Sequence, residues 1–282
     1  MRAFGAVFVR SFARNAFLFE FGEPRAWSRT IETANTYPAP SDLPGIGEAM
    51  ESSTAEDILD WALHQFRGSI ALACSFGGPS GMVLLDMVLQ RAPNTPVFYL
   101  DTGFLFPQTY ALVQRVAERY GVLPQAVRPA ISPELQAQTE GDRLWERDPD
   151  RCCEIRKVVP QREFLRGYAA WITGIRRDQA STRRRTSVVS WDSNFGLAKI
   201  APLAAWSEQQ VWDYIVDHDV PTNSLHGLGY PSIGCTYCTR PVGDGEDARA
   251  GRWSGTLKTE CGLHRPSDET LSPLIAPQQN GA

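Results

Sequence analysis

The chain carries two kinds of hydrophobic pattern. Continuous apolar runs occur at "SIALACSF" (69–76), "PVFYL" (96–100) and "AAWITGI" (169–175). Runs this short, without polar alternation, are the pattern of strands buried on both faces of a parallel sheet. Between them, apolar residues recur at helical spacing. Ile58, Leu59, Ala62 and Phe66 share one face of a helix expected to open at a Ser53/Glu56 capping box. Further helices are expected over "MVLLDMVLQRA" (82–92), over "QTYALVQRVAERYG" (108–121) with Gly121 as its stop, from Cys152 to Gly167, and over "SEQQVWDYIVDH" (207–218), where Ser207 and Gln210 form another capping box.

Strands alternating with helices predict an α/β fold, a parallel sheet with helices on both faces. Ligands of such sheets bind beyond the carboxyl ends of the strands. Three segments lie there: "SFGGPSG" (75–81), "LDTG" (100–103) and "TGIRRDQ" (173–179). Ser75, Gly77 and Gly78 precede a helix, where small residues let backbone N–H groups approach an anion. The lysine and Ser/Thr of a Walker A loop are absent. Asp101 can accept from a ribose hydroxyl or cap the next turn. Arg176 and Arg177 suit phosphate or sulfate oxygens, and "STRRRTS" (181–187) is either a solvated face or an extension of that anion site.

Composition narrows the class. The 282 residues are 43% hydrophobic and 21% charged, with net charge -4; this is a globular balance and argues against a chain devoted to nucleic acid. No run approaches the roughly 20 apolar residues of a membrane span. The first 50 residues stand apart. Arg2, Arg10 and Arg14 occur with no acid before Glu20, superficially like a transit peptide, and they interrupt any secretory apolar core. "NTYPAPSDLPGIGE" (35–48) then reads as a linker. The expected division is an N-terminal extension and linker (1–50), an α/β domain (51–245) and a C-terminal segment (246–282).

The six cysteines do not form the framework of a small secreted protein, and a reducing compartment, the cytoplasm, is expected. Adjacent Cys152 and Cys153 are poorly placed to bridge each other. With Cys235 and Cys238 of "SIGCTYCTRP" they make four thiolates, enough for a zinc site or an iron–sulfur cluster; the directly adjacent pair counts against zinc. Cys74, inside an apolar strand, reads as an inert buried thiol. Cys261 lies among Lys258, His264 and Arg265 and beside Gly262, a basic setting that makes it a candidate nucleophile.

Taken together, "CCEIRK", "LDTG", "TGIRRDQ", "NSLHGLGYPSIGCTYCTRP", "AGRW" and "KTECGLH" span about Ser53 to Arg265 and resemble the assimilatory adenylyl-sulfate (APS) reductases, the iron–sulfur branch of the phosphoadenylyl-sulfate (PAPS) reductase family. The resemblance implies an adenine nucleotide alpha-hydrolase-like fold and reduction of APS to sulfite and AMP, with Cys261 as nucleophile. It implies a 4Fe-4S cluster on Cys152, Cys153, Cys235 and Cys238, and places Lys157 between cluster and substrate. Arg249, Arg252, Arg176 and His264 are further cationic candidates. Ser75, Phe76, Gly77, Gly78, Asp101, Gly103, Arg176 and Arg177 are expected at the nucleotide. The thioredoxin-like domain of plant relatives is not expected after "CGLH", so a separate thioredoxin or glutaredoxin-like donor is implied, and a homo-oligomer is compatible. "SFGGPSG" departs from relatives in lacking acidic residues. The rival readings are a PAPS reductase, a non-catalytic Cys₄ metal protein binding RNA or a partner, for which "KTECGLH" has no use, and an adenylating tRNA-modification enzyme, whose fuller acidic glycine loop is missing.

Overall fold

The apolar runs become the centre of a six-stranded sheet in the computed structural model, which describes residues 37–264. In chain order the elements are α1 (Leu43–Ala49), α2 (Ala55–Gln65), β1 (Ile70–Ala73), α3 (Pro79–Arg91), β2 (Val97–Leu100), α4 (Pro107–Tyr120), β3 (Gln125–Val127), α5 (Pro133–Glu140), α6 (Leu144–Arg147) and α7 (Pro149–Cys153). A π-helical segment, Glu154–Val158, joins α7 to α8 (Val159–Leu165). β4 (Ala170–Thr173), β5 (Val189–Asp192), β6 (Leu197–Ile200) and α9 (Glu208–Asp217) follow.

The strand order is β3-β2-β1-β4-β6-β5, parallel except for the β5–β6 pair. The chain first builds outward from β1 to β3 and then returns to place β4 on the other side of β1, in the register Ile70↔Ala170 to Ala73↔Thr173. Chain direction across the sheet therefore reverses between β1 and β4, and a crevice opens beyond their carboxyl ends. β4 is buried along its whole length, and β1 at all but its last residue. The buried carboxylate of Asp86 ties three helices together, accepting from Gln90 (2.7 Å) on α3, Tyr120 (2.9 Å) on α4 and Tyr214 (2.8 Å) on α9.

Several expectations shift. The cap of α2 is Thr54, not Ser53, because burial of Ala55, Ile58 and Leu59 fixes the helix one residue later; Thr54 Oγ1 accepts from Asp57 N at 3.1 Å. The Ser207/Gln210 box and the left-handed Gly121 stop stand as expected. Part of the expected linker is α1, whose Leu43 and Gly47 are buried; any Cβ on Gly47 would overlap the carbonyl of Val189 on β5. The helix expected from Cys152 starts at Pro149 and widens into the π segment. The antiparallel β5–β6 hairpin was not expected.

The described residues, 37–264, fall in one compact unit, which includes the described part of the C-terminal segment. The expectations for residues 1–36 and for 265 onward lie outside the described residues. Among the described residues no helix is long and apolar enough to cross a membrane.

Candidate active site

A cavity of ≈ 320 Å³ occupies the crevice at the reversal point. The turn after β1 supplies Ser75, Gly77 and Gly78 to its wall. Gly78 is the N-cap of α3 and offers no side chain, and Pro79 follows at the first helical position; the first-turn N–H groups of α3 are left to face an anion. Gly77 is required by close approach, since a Cβ there would lie 2.8 Å from the carbonyl oxygen of Ile233. Phe76, expected beside the nucleotide, turns into the core instead. Its φ of +52° aims the ring away from the cavity and against Tyr99, and Asn223 Nδ2 donates to its carbonyl at 3.0 Å.

β4 supplies the opposite wall. Gly174 follows it and packs on the first turn of α3, where a Cβ would meet Gly81 N at 2.9 Å. Arg176 lines the cavity, but its guanidinium is already held by Asp178 (2.9 and 3.1 Å) and Ser80 Oγ (2.5 Å). Arg177 points elsewhere, pairing with Glu51 (2.5 and 2.8 Å). Asp101 and Gly103 do not line the cavity either. Asp101 is buried and accepts from Tyr110 Oη (2.6 Å), Arg128 Nε (2.9 Å) and Gly103 N (3.3 Å). It braces the turn after β2, and the neighbouring Thr102 reaches the cavity.

The C-terminal segment closes the site. Lys157, Arg249, Arg252, Cys261 and His264 all line the cavity. A short ladder brings Arg252 there: Thr239 and Arg252 form an antiparallel bridge, and Arg240 N donates to Gly251 O at 2.9 Å. The Arg252 guanidinium lies 4.4 Å from the Trp253 ring centroid, over Gly234, where any Cβ would displace it. Burial opposes the charge of Lys157, but the facing sulfurs of Cys235, Cys153 and Cys261 outweigh it and hold its pKa above the ordinary lysine value. Its ammonium has no carboxylate partner among the described residues. His264 behaves oppositely. Burial, with Lys199, Arg183 and Arg249 nearby, holds its pKa well below the ordinary value and favours the neutral ring over the expected cation; the ring stacks parallel to Trp171.

Beside the cavity the four remaining predicted cysteines gather. Cys152 and Cys153 end α7, and Cys235 pairs across a bridge with Leu105, its sulfur 3.3 Å from Thr102 Oγ1. Gln136 Nε2 approaches Cys152 Sγ at 3.9 Å. Burial raises the pKa of Cys152 to about 11 and of Cys238 to about 12, and the facing sulfurs add to both shifts. Three of these sulfurs are buried and Cys238 is half-buried; held together they resist ionising unless a cation offsets the charge, so the donor set suits a thiolate-bound metal centre. Among the described residues, however, no three Cys, His, Asp or Glu are drawn close enough to enclose a metal ion. Cys74 borders the cavity but is inert as expected, burial pushing its thiol up to about 12.

Sequence reasoning missed two residues here, Arg156 and Glu260, while Arg183 comes from the run it offered as an extension of the anion site. Arg156 is fully buried and donates to Gln136 Oε1 (2.7 Å) and to the carbonyls of Ser132 (2.8 Å) and Ile131 (3.1 Å), fixing the π segment to the wall of the cysteine group. Arg183, from the arginine run, lines the cavity, and Glu260, within "KTECGLH", is its partner at 2.7 Å. Glu260 stood in a quoted motif, yet nothing in one sequence reveals which basic group it meets.

Comparison with known proteins agrees with this geometry. Residues 69–241 match the phosphoadenosine phosphosulfate reductase domain family. A protein of Halalkalibacterium halodurans named adenosine 5'-phosphosulfate reductase is 50% identical over 221 residues, covering 78% of this chain and 95% of its own. One of the same name from Salinibacter ruber is 46% identical over 229 residues, covering 80% and 90%. Among solved structures, a phosphoadenylyl-sulfate reductase of Candida auris in a phosphate complex superposes with TM-score 0.63 at 31% identity, over 72% of this chain and 98% of that one. An FMN adenylyltransferase of Candida glabrata shares the fold at TM-score 0.51, with 16% identity, over 73% and 70%. The expected adenine nucleotide alpha-hydrolase-like fold is thus borne out. A glycine-lined crevice at the β1/β4 reversal, closed by a cysteine-bearing segment among cations, is the setting in which these matches fall, and the chain belongs to the phosphoadenosine phosphosulfate reductase family of oxidoreductases.

Proposed function

We propose that the chain reduces adenosine 5'-phosphosulfate to sulfite and AMP at the expense of a dithiol. The observation that carries this reading is the convergence of Cys261, Lys157, Arg249 and Arg252 on the cavity that the Ser75–Gly78 turn and the N-terminus of α3 line from the other side. The nucleotide's phosphate would lie at the α3 N-terminus and its sulfate group toward Cys261. The Cys261 thiolate attacks the sulfate sulfur, the bond from that sulfur to the bridging phosphate oxygen breaks, and AMP leaves with the bonding pair. Lys157, Arg249 and Arg252 offset the charge that develops on the leaving phosphate. A donor thiolate then attacks Cys261 Sγ. Sulfite leaves with the electron pair of the S–S bond, and the donor's second thiol resolves the mixed disulfide.

Cys152, Cys153, Cys235 and Cys238 would hold a 4Fe-4S cluster, which when bound supplies fixed charge and rigidity beside Lys157 and leaves the reducing electrons to the donor. The donor is a separate dithiol protein of the thioredoxin or glutaredoxin kind in a reducing compartment, the cytoplasm. Use of the 3'-phosphorylated nucleotide is the second reading, supported by the names of the family and of the Candida auris neighbour; a higher kcat/KM for that compound would select it.

The test is intact mass. Incubated with adenosine 5'-phosphosulfate and no thiol, the protein should gain about 80 Da, the mass of one transferred sulfonate, and the gain should vanish in Cys261→Ser. Absence of the adduct from protein that turns over with thiol present would refute the mechanism.

A further inference from the structure

The segment carrying Cys261 is held at a point where charge is more concentrated than its own chemistry needs. The Glu260 carboxylate is largely buried, with side-chain exposure of 13%. It accepts from Arg183 at both oxygens (2.7 Å each), from Thr182 Oγ1 at 3.1 Å and from Arg249 Nη2 at 3.3 Å. Arg249 also donates to the carbonyl of Thr259 at 2.8 Å, and Arg183 to Gln179 Oε1 at 2.5 Å. Two residues earlier, the Lys258 ammonium pairs with Asp150 on α7 and lies 5.6 Å from the Trp253 ring centroid. The segment is therefore fastened to α7 on one side and to the arginine loop on the other, with Cys261 immediately after the second fastening.

We propose that Glu260 is the clasp that sets which way Cys261 faces. Closed on Arg183 and Arg249, it holds Sγ over the cavity; released, it lets the segment swing so that an outside thiol reaches Sγ. Glu260 acts here as a positioning residue, and this inference rests on the reading of Cys261 as the nucleophile. A bidentate pair between planar groups has the required properties, because it fixes orientation as well as distance.

The two halves of the reaction make opposite demands, so they separate this role from a merely structural one. In the full chain without nucleotide, iodoacetamide labelling of Cys261, followed on its own peptide, should accelerate about 10- to 100-fold in Glu260→Gln, the scale set by hydrogen bonds to a charged group. Single-turnover formation of the 80-Da adduct (about one sulfonate) should slow by a similar factor, while dithiothreitol should release sulfite from preformed adduct no more slowly than in the parent. Glu260→Asp should recover part of both effects. Arg183→Gln opens the same pair from the other side and should move labelling in the same direction, so the test survives if Glu260→Gln fails to fold. Labelling unchanged within about twofold in the variants that fold, or adduct formation and release slowed alike, would overturn the clasp. If the parent chain forms no adduct at all, the proposed function fails, and the labelling comparison still decides the clasp.

Discussion

Replacing Gly174 by alanine tests whether the end of β4 and the first turn of α3 act as one rigid wall. The added Cβ would stand 2.9 Å from Gly81 N, 3.0 Å from Ser80 C and 3.2 Å from Ser80 Cβ. Ordinary contact begins at 3.4 Å, so the worst of these is 0.5 Å too close (3.4 less 2.9). Two of the three atoms are backbone of a buried helix turn, and no flexible side chain can absorb the difference. Overpacking of this kind costs about 1–3 kcal/mol. For a chain of this size that is a fall in Tm of about 2–12 °C. The functional loss should be out of proportion, because the displaced residue is Ser80, whose hydroxyl takes Arg176, and the displaced N-terminus is the one offered to phosphate. Calorimetry or dye-monitored melting, with and without AMP, provides the assay. The variant should melt lower and also lose most of the stabilisation that AMP confers on the parent. An alanine variant within about 1 °C of the parent that still gains the full AMP shift would refute the close packing of β4 on α3.

Lys157→Gln should slow formation of the Cys261 adduct about 10²- to 10³-fold, the usual effect of removing one group that stabilises developing charge, with iron and sulfide content per chain unchanged. Cys153→Ser should remove the iron–sulfur absorbance of the proposed cluster and, with it, the adduct; absorbance lost while catalysis is kept would sink the positioning role proposed for that cluster. The His264 ring, followed by NMR between pH 8 and 5, should titrate below its ordinary value of 6.5. The sign follows from burial: the docked ring prefers the neutral form, so protonation favours the undocked segment, and docking weakens as pH falls below the unfolded value. A midpoint at or above that value would show the ring to be solvated.

The strands and helices legible in the sequence were those whose own residues carry the signal. Ile70–Ala73 and Val97–Leu100 are apolar without interruption, and α4 and α9 announce their ends through Gly121 and Ser207. β3 has three residues and α6 four, too few for any periodicity. The β5–β6 hairpin was hidden behind the arginine run that precedes it, although its tight turn ends on Gly196 at φ +71°. α1 was lost among prolines because its burial depends on a strand 142 residues later, Gly47 lying against Val189.

The site divided along the same line. Residue types and motifs picked out Cys261, Lys157, Arg249 and Arg252, all of which line the cavity where their proposed roles require them. They could not tell a free arginine from a neutralised one. Arg176 and Arg177 are adjacent and chemically alike, yet one is bound to Asp178 and Ser80 and the other to Glu51. His264 went the same way: a histidine next to arginines looks cationic until its burial is known.

The π segment makes the spacing between Cys153 and Lys157 a ruler. An α-helix turns about 100° per residue, and π turns are commonly an α-helix with one residue too many. Losing one residue between Glu154 and Arg156 would let α7 run smoothly into α8, and by local propensity the result would be a better helix. The lysine, though, would arrive about 100° around the axis from the sulfurs and the cavity it now faces. Arg156, which now clasps Gln136 and the carbonyls of Thr102, Ile131 and Ser132, would be carried off its partners in the same rotation. The segment should accordingly accept a change of residue at the half-buried Glu154 far more readily than any change of length.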